Sequence, residues 1–176
     1  MNAETSIIAY RSHRPRVHSS VYLARGACVI GRVQIGAHAS IWFNSVLRAD
    51  IERIRVGRTT NIQDLCLLHV DHHLPCLIGD EVVVGHQVTL HGCVVGDGAL
   101  IGMGAIVLSG ARVGDEALVG AGSVVPEGVR IPPRTLVMGI PARRVRQLTA
   151  AEARSQHHWA QRYAQLARAH RASQSS

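Results

Sequence analysis

The sequence predicts an all-β solenoid, a parallel β-helix of six-residue repeats followed by one C-terminal α-helix. Three observations predict it. Aliphatic residues recur every six positions along most of the chain, and glycine often follows them. Aromatic residues make up only 3% of the 176 residues while 17 are glycine, so the core must be narrow and built from small and branched side chains. Val, Ile and Leu number 21, 13 and 14, the raw material of β-structure. An apolar content of 47% excludes wholesale disorder.

The repeat begins at Val17 and steps through Leu23, Val29, Ile35, Ile41 and Leu47. It resumes at Val56, Ile62 and Leu68, then at Ile78, Val84 and Leu90. From Val95 it runs without a break through Ile101, Val107, Val113, Val119, Val125 and Ile131 to Val137. A period of six is neither the 3.6 of a helix nor the 2 of a lone strand. It fits a prism of three short walls, about 18 residues per turn. Each repeated aliphatic side chain points inward and stacks about 4.8 Å from its counterpart one turn away. Small and polar residues between them suit the corners.

The register breaks in three places. Three residues are extra between Leu47 and Val56, four between Leu68 and Ile78, and one is missing between Leu90 and Val95. Insertions in solenoids loop out from one face, often the binding face.

After Pro141 the period stops. Thr149 and Glu152 form a capping box, with Leu148 ahead of them as a staple. Trp159, Tyr163 and Leu166 recur at i, i+4 and i+7, one face of a helix. The spacing predicts a helix over 149–170 packed by that face on the outside of the prism. The chain thus divides into a β-helix domain, 1–147, and a helix with its tail, 148–176, packed on the same domain.

The net charge is +7, and all 19 basic residues are arginine. Residues 143–176 hold seven arginines against one acid, so the body is nearly neutral. With no nucleic-acid-reading module in the tail, a nucleic-acid partner is not expected. Four cysteines without a C-x-x-C pair suit a reducing compartment. No signal-peptide pattern opens the chain, and no stretch reaches the roughly 20 apolar residues of a membrane helix. A cytoplasmic protein without a membrane partner is expected.

Of the 11 histidines, His13, His18, His38, His157, His158 and His170 read as solvated. His69 and His91 differ. They are 22 residues apart, and removing the four-residue insertion leaves 18, one full turn. They therefore occupy equivalent places on successive turns, close enough to share a metal ion. His86 lies five residues before His91, roughly 16 Å along a wall, too far for an ion whose bonds to nitrogen are about 2.0–2.1 Å. It is idle, or it serves a site made with a neighbouring subunit. Three prisms around a threefold axis would bring it beside the other two. The alternative is three corner histidines satisfied by hydrogen bonds. Three neutral imidazoles leave one zinc position open to water. Zinc lowers the pKa of that water to about 7, giving a hydroxide that attacks carbon dioxide or activated carbonyls.

Several strings carry a resemblance: Leu47-Arg-Ala-Asp50, Asn61-Ile-Gln-Asp64, Leu68-His-Val70, Val84-Gly-His-Gln87, Leu90-His-Gly-Cys93 and Ile101-Gly-Met-Gly-Ala105. In order and spacing they resemble the γ-class carbonic anhydrases, over about residues 10–165. The resemblance implies a left-handed coil and a homotrimer with interfacial metal. It implies that His69 and His91 bind from one subunit and His86 from the next, holding Zn2+, with Fe2+ or Co2+ as other suitable ions. It further places Arg48, Asp50, Asn61, Gln63 and Asp64 in the site. Arg48 pairs with Asp50, or with Asp64 across the interface, and presents a donor to bicarbonate or serves only as an interface ion pair. Gln63 orients the metal-bound water. Tyr163 matches a tyrosine of the family's C-terminal helix, near the site or in that helix's packing.

The chain departs from the family at the proton relay. Active members carry acidic residues on the loop after the first metal histidine. Here that segment is Val70-Asp-His-His-Leu-Pro75, and position 51 is Ile51. His72 or His73 is the substitute expected, since histidine titrates near 6.5. The implied function is a lyase interconverting carbon dioxide and bicarbonate by metal-bound hydroxide. The alternatives are a metal-dependent thioesterase or accessory protein of acyl-coenzyme A metabolism, and a hexapeptide acyltransferase with one histidine as general base.

Overall fold

In the computed structural model, which describes residues 6–174, short strands wind into a three-walled parallel solenoid. One wall stacks Leu67–His69, Thr89–His91, Ile106–Val107 and Val124–Val125. A second stacks Cys76–Ile78, Val94–Val95, Arg112–Val113 and Arg130–Ile131. Two long strands, Cys28–Ile35 and Val46–Val56, run through the corner between these walls and join them into one sheet. The third wall stacks Tyr22–Leu23, Ser40–Ile41, Asn61–Ile62, Val83–Val84, Leu100–Ile101, Leu118–Val119 and Thr135–Gly139. Ala142–Gln147 then pairs antiparallel with Thr135–Gly139 and ends the coil.

Every repeated aliphatic residue from Val29 to Val137 is buried, while Val17 and Leu23 at the first turn are partly buried. Each large aliphatic side chain so buried contributes about 1.5–3 kcal/mol. A second inward position lies two residues earlier. Ala39, Cys66, Ala99, Ala105, Ala111 and Ala117 fill it, all buried. The small residues therefore belong to the core as well as to the corners. Strand alternation requires this, because residues i and i−2 point to the same face. A large and a small side chain from each wall fill a prism too narrow for rings.

The glycine after the aliphatic residue also has a physical reason. Asp80, Asp97 and Asp115 stack along one corner, accepting from the backbone N–H of Arg58, Asp80 and Asp97 respectively. A Cβ on Gly79 would lie 2.3 Å from a carboxylate oxygen of Asp97.

The three breaks fall at corners. The extra residues after Leu47 form a bulge in which Gly31 pairs with Ala49 but Val33 with Ile54. The four extra after Leu68 make a loop closed by paired Asp71 and Leu74. The short turn passes through Gly92 at φ +51, where a Cβ would meet Leu74 at 3.2 Å and Asp71 at 3.3 Å. The loop therefore rests against the short turn.

The helix spans Ala150–Gln174, four residues beyond the expected end. The capping box is formed: Glu152 N–H donates to Thr149 Oγ1 at 3.2 Å, and Thr149 N–H to Glu152 at 2.8 Å. Leu148 is buried beside it. The helix packs on the third wall, but not by the expected face. Trp159 and Leu166 are exposed, and Ala153, Gln156, Ala160, Ala164 and Ala167 are buried instead. The wall supplies the bulk: Tyr22 and Trp42, ring centroids 5.4 Å apart, pack with Ala167, and Tyr163 joins them from the helix. Small helical residues fit against that surface.

His157 is not solvated either. It lies 2.5 Å from Glu81 and 3.1 Å from Glu116, pinning helix to wall. Burial alone would lower its pKa, but the two carboxylates outweigh burial and raise it above the ordinary histidine value. Nor do three others stand alone: His18 bonds Ser20 at 2.8 Å, His13 bonds Arg32 at 2.8 Å, and His170 packs on Trp42. Among the described residues no helix is long and apolar enough to cross a membrane. Helix and wall pack together, and residues 1–5 and 175–176 of the two segments lie outside the described residues.

Candidate metal centre

Arg48, His69 and His91 are direct register partners on three successive parallel strands. His69 Nδ1 and His91 Nε2 stand 3.1 Å apart. The other nitrogen of each ring faces an oxygen: His69 Nε2 lies 3.0 Å from Asp50 Oδ1, and His91 Nδ1 lies 2.8 Å from Ser109 Oγ. Arg48 also donates to Asp50. Burial opposes ionisation of Asp50, but the His69 and Arg48 hydrogen bonds outweigh burial and hold its pKa below the usual carboxylate value. Ser109 donates to Asp71 Oδ2 at 3.0 Å. The backbone N–H of His72, and then Ser109, lower the pKa of Asp71.

For neutral rings, the protons on these groups follow by elimination. Asp50 is ionised and only accepts, so His69 carries its proton on Nε2. Asp71 is ionised too, so Ser109 spends its one hydrogen there. Ser109 then accepts from His91, whose proton sits on Nδ1. The two inner nitrogens, His69 Nδ1 and His91 Nε2, both present lone pairs to the gap. Two lone pairs at 3.1 Å repel unless a cation lies between them.

The second half of the site is built around His86. Its Nδ1 bonds Asp64 Oδ2 at 2.7 Å, and Asp64 Oδ1 accepts from the Phe43 N–H at 3.3 Å. The Nε2 of His86 is left as the lone-pair side. Gln63 donates to Asn61 Oδ1 at 3.2 Å, and both are buried. Burial, and then the Asp64 charge, raise the pKa of Tyr163, whose ring packs edge-on to Trp42 at 5.8 Å.

The predicted residues thus form two groups rather than one. Arg48, Asp50, His69 and His91 gather where the first wall ends. Asn61, Gln63, Asp64, His86 and Tyr163 gather where it begins, since His86 precedes strand Thr89–His91 and His91 closes it. Among the described residues, no three His, Cys, Asp or Glu side chains converge on one metal position. His72 and His73 are exposed on the loop. The hydrogen-bonded chain from His91 reaches Asp71 through Ser109, not either of those histidines. Ser109 was missed, although it lies 18 residues after His91 and the same turn arithmetic would have found it.

The donor set fits a metal ion. Two nitrogens each about 2.0–2.1 Å from a tetrahedral ion would be roughly 3.4 Å apart, close to the 3.1 Å separating these two. Each of the three imidazoles has one nitrogen turned to an oxygen, as metal-ligating histidines have, which fixes ring orientation.

A curated relative from Methanocaldococcus jannaschii, bearing the name probable carbonic anhydrase, is 48% identical over 150 residues, 85% of this chain and 94% of its own. Gamma carbonic anhydrase 2 of Arabidopsis thaliana is 45% identical over 89% of this chain and 58% of its own. The chain belongs to the γ-class carbonic anhydrase family. The profile of the bacterial transferase hexapeptide, six repeats, matches residues 92–127 of this γ-class chain. The left hand that the resemblance implied is that of the γ-class fold. A Bacillus cereus crystal structure, named for an acetyltransferase, superposes with a TM-score of 0.94 at 39% identity, covering 96% of this chain and 98% of its own.

Proposed function

We propose that the chain is a metal-dependent carbonic anhydrase that interconverts carbon dioxide and bicarbonate at the interfaces of a homotrimer. The observation that carries this reading is the pair of inner nitrogens, His69 Nδ1 and His91 Nε2, 3.1 Å apart with the outer nitrogen of each ring on an oxygen, and a third imidazole, His86, held by Asp64 at the other edge of the same wall. One edge cannot meet the other within a chain. Both meet if identical chains contact edge to edge, and such head-to-tail contacts close into rings.

His69 and His91 of one chain, with His86 of its neighbour, would hold the ion, Zn2+ being suited to three imidazoles and Fe2+ or Co2+ also accommodated. When bound, the ion supplies Lewis acidity that makes water nucleophilic near neutral pH. The rest is the work of the chain's own groups. Asp50 fixes the His69 ring, Ser109 and Asp71 fix His91, and Asp64 fixes His86. Gln63, held by Asn61, orients the attacking water, with Tyr163 behind it. Arg48 keeps Asp50 ionised and offers spare N–H donors to a bicarbonate oxygen. The exposed loop histidines His72 and His73, which lie outside the His91–Ser109–Asp71 chain, take up the proton released on hydration and pass it to buffer.

The test is elemental analysis of the purified protein followed by carbon dioxide hydration kinetics with its native metal. His72→Ala/His73→Ala should lose most of the rate while keeping the metal; unchanged buffer dependence would remove those two from the relay. A second reading is acyl transfer, favoured by the acetyltransferase name of the Bacillus cereus relative. It needs a histidine base and no metal, whereas a thioesterase or accessory protein of acyl-coenzyme A metabolism would keep the metal. A panel of acyl-coenzyme A substrates beside the hydration assay separates the three.

A further inference from the structure

A cavity of ≈ 390 Å³ opens on the first turns of the coil, outside the residues of the metal centre. Arg14, Arg16, Arg32, Arg53 and Arg55 line it, with His13 beside them. Among the described residues no carboxylate and no Phe, Tyr or Trp lines it.

The fold forces these charges together. Arg16 and Arg55 lie in one file across three parallel strands, with Gln34 between them, so they are about 9.6 Å apart at the backbone. Arg32 lies in the register shift of the inner strand, and Arg53 is one of the residues that the bulge adds. Among the described residues only Glu52 answers them, loosely, at 3.7 Å from Arg32 and 4.0 Å from Arg53. Arg14, Arg16 and Arg55 have no carboxylate partner among the described residues. Arg32 donates to His13 Nε2 at 2.8 Å, so the proton of that imidazole sits on Nδ1 as a further donor. Among the described residues the cavity is therefore lined by donors, with five guanidinium groups against one nearby carboxylate.

We propose that this arginine-lined cavity binds a small ligand carrying a diphosphate group. Guanidinium forks match phosphoryl oxygens in bidentate geometry, which a halide cannot use; a carboxylate can, but it offers only one such edge and one negative charge. Five arginines exceed what one phosphoryl group can engage, and two phosphoryl groups engage more of them and offset more of their charge. The volume lies within the roughly 300–1,000 Å³ of small-molecule sites. A single-stranded nucleic acid is disfavoured, because there is no ring on which a base could stack.

The test is isothermal titration of the full chain with inorganic pyrophosphate and with ADP, adenosine serving as control. Pyrophosphate and ADP should bind and adenosine should not, with affinity falling in high salt. Arg16→Gln/Arg55→Gln should weaken both ligands at least tenfold while metal content and hydration rate stay unchanged. If the double variant does not fold, Arg14→Gln alone should weaken them measurably. No binding of pyrophosphate at millimolar concentration overturns the proposal, as does equal binding by a folded variant. Oligonucleotide binding that strengthens with length and displaces ADP also overturns it.

Discussion

His69 Nδ1 and His91 Nε2 face each other across 3.1 Å, and in neutral rings neither has a hydrogen to donate. The cause lies outside the pair. Asp50 takes the proton of one ring, and Ser109, committed to Asp71, takes that of the other. These oxygens orient the two rings so that, when neutral, both aim a lone pair at the gap between them.

Weakening the outer oxygens should therefore weaken the metal. Asp50→Asn and Ser109→Ala each leave an inner ring free to rotate and to change its protonated nitrogen. Each should lower metal affinity about 10–100-fold, read by competition with a chelating dye. Asp64→Asn should do the same from the His86 side. Unchanged affinity in all three would mean that the oxygens do not set the rings.

The contact of helix and wall should depend on pH. The pKa of His157 in the folded chain is raised by Glu81 and Glu116. Its contribution is complete below the unfolded histidine value of about 6.5 and fades as pH rises through the folded value. Thermal unfolding of the native chain should show a loss of stability across that alkaline window. His157→Gln should be less stable than the native chain at pH 6, with the difference shrinking by pH 9. A constant difference would contradict the ion-pair account.

The buried face of the helix should resist enlargement. Ala160→Leu forces three carbons into a contact already filled by the wall, costing about 1–3 kcal/mol. Leu166→Ala removes an exposed side chain and should change the chain's stability by less than about 0.5 kcal/mol. Urea unfolding of the two variants ranks them, and the reverse order would restore the face first read from the spacing.

The coil was legible because its information is one-dimensional. A period of six gives the walls, and the size of an insertion gives the register, so His69 and His91 could be aligned by subtraction. Ser109 was equally within reach, one turn further on. The helix face was not. Its large residues look like the packing stripe, yet Tyr22 and Trp42 on the wall already occupy that space. His157 was hidden for a similar reason, since its partners lie 76 and 41 residues away. The lone pairs of the metal centre needed three dimensions as well, because the protons follow from which oxygen stands behind each ring.

The central claim is that one metal position draws on two chains, and subunit mixing tests it most directly. His69→Ala and His86→Ala chains, each without metal or hydration activity alone, are unfolded together and refolded as mixed trimers. If His69 and His91 of one chain work with His86 of the next, about a quarter of the positions regain all three imidazoles by random assortment around a closed ring, and metal and activity return in that proportion. Mixed trimers as empty and inactive as their parents would contradict the shared site.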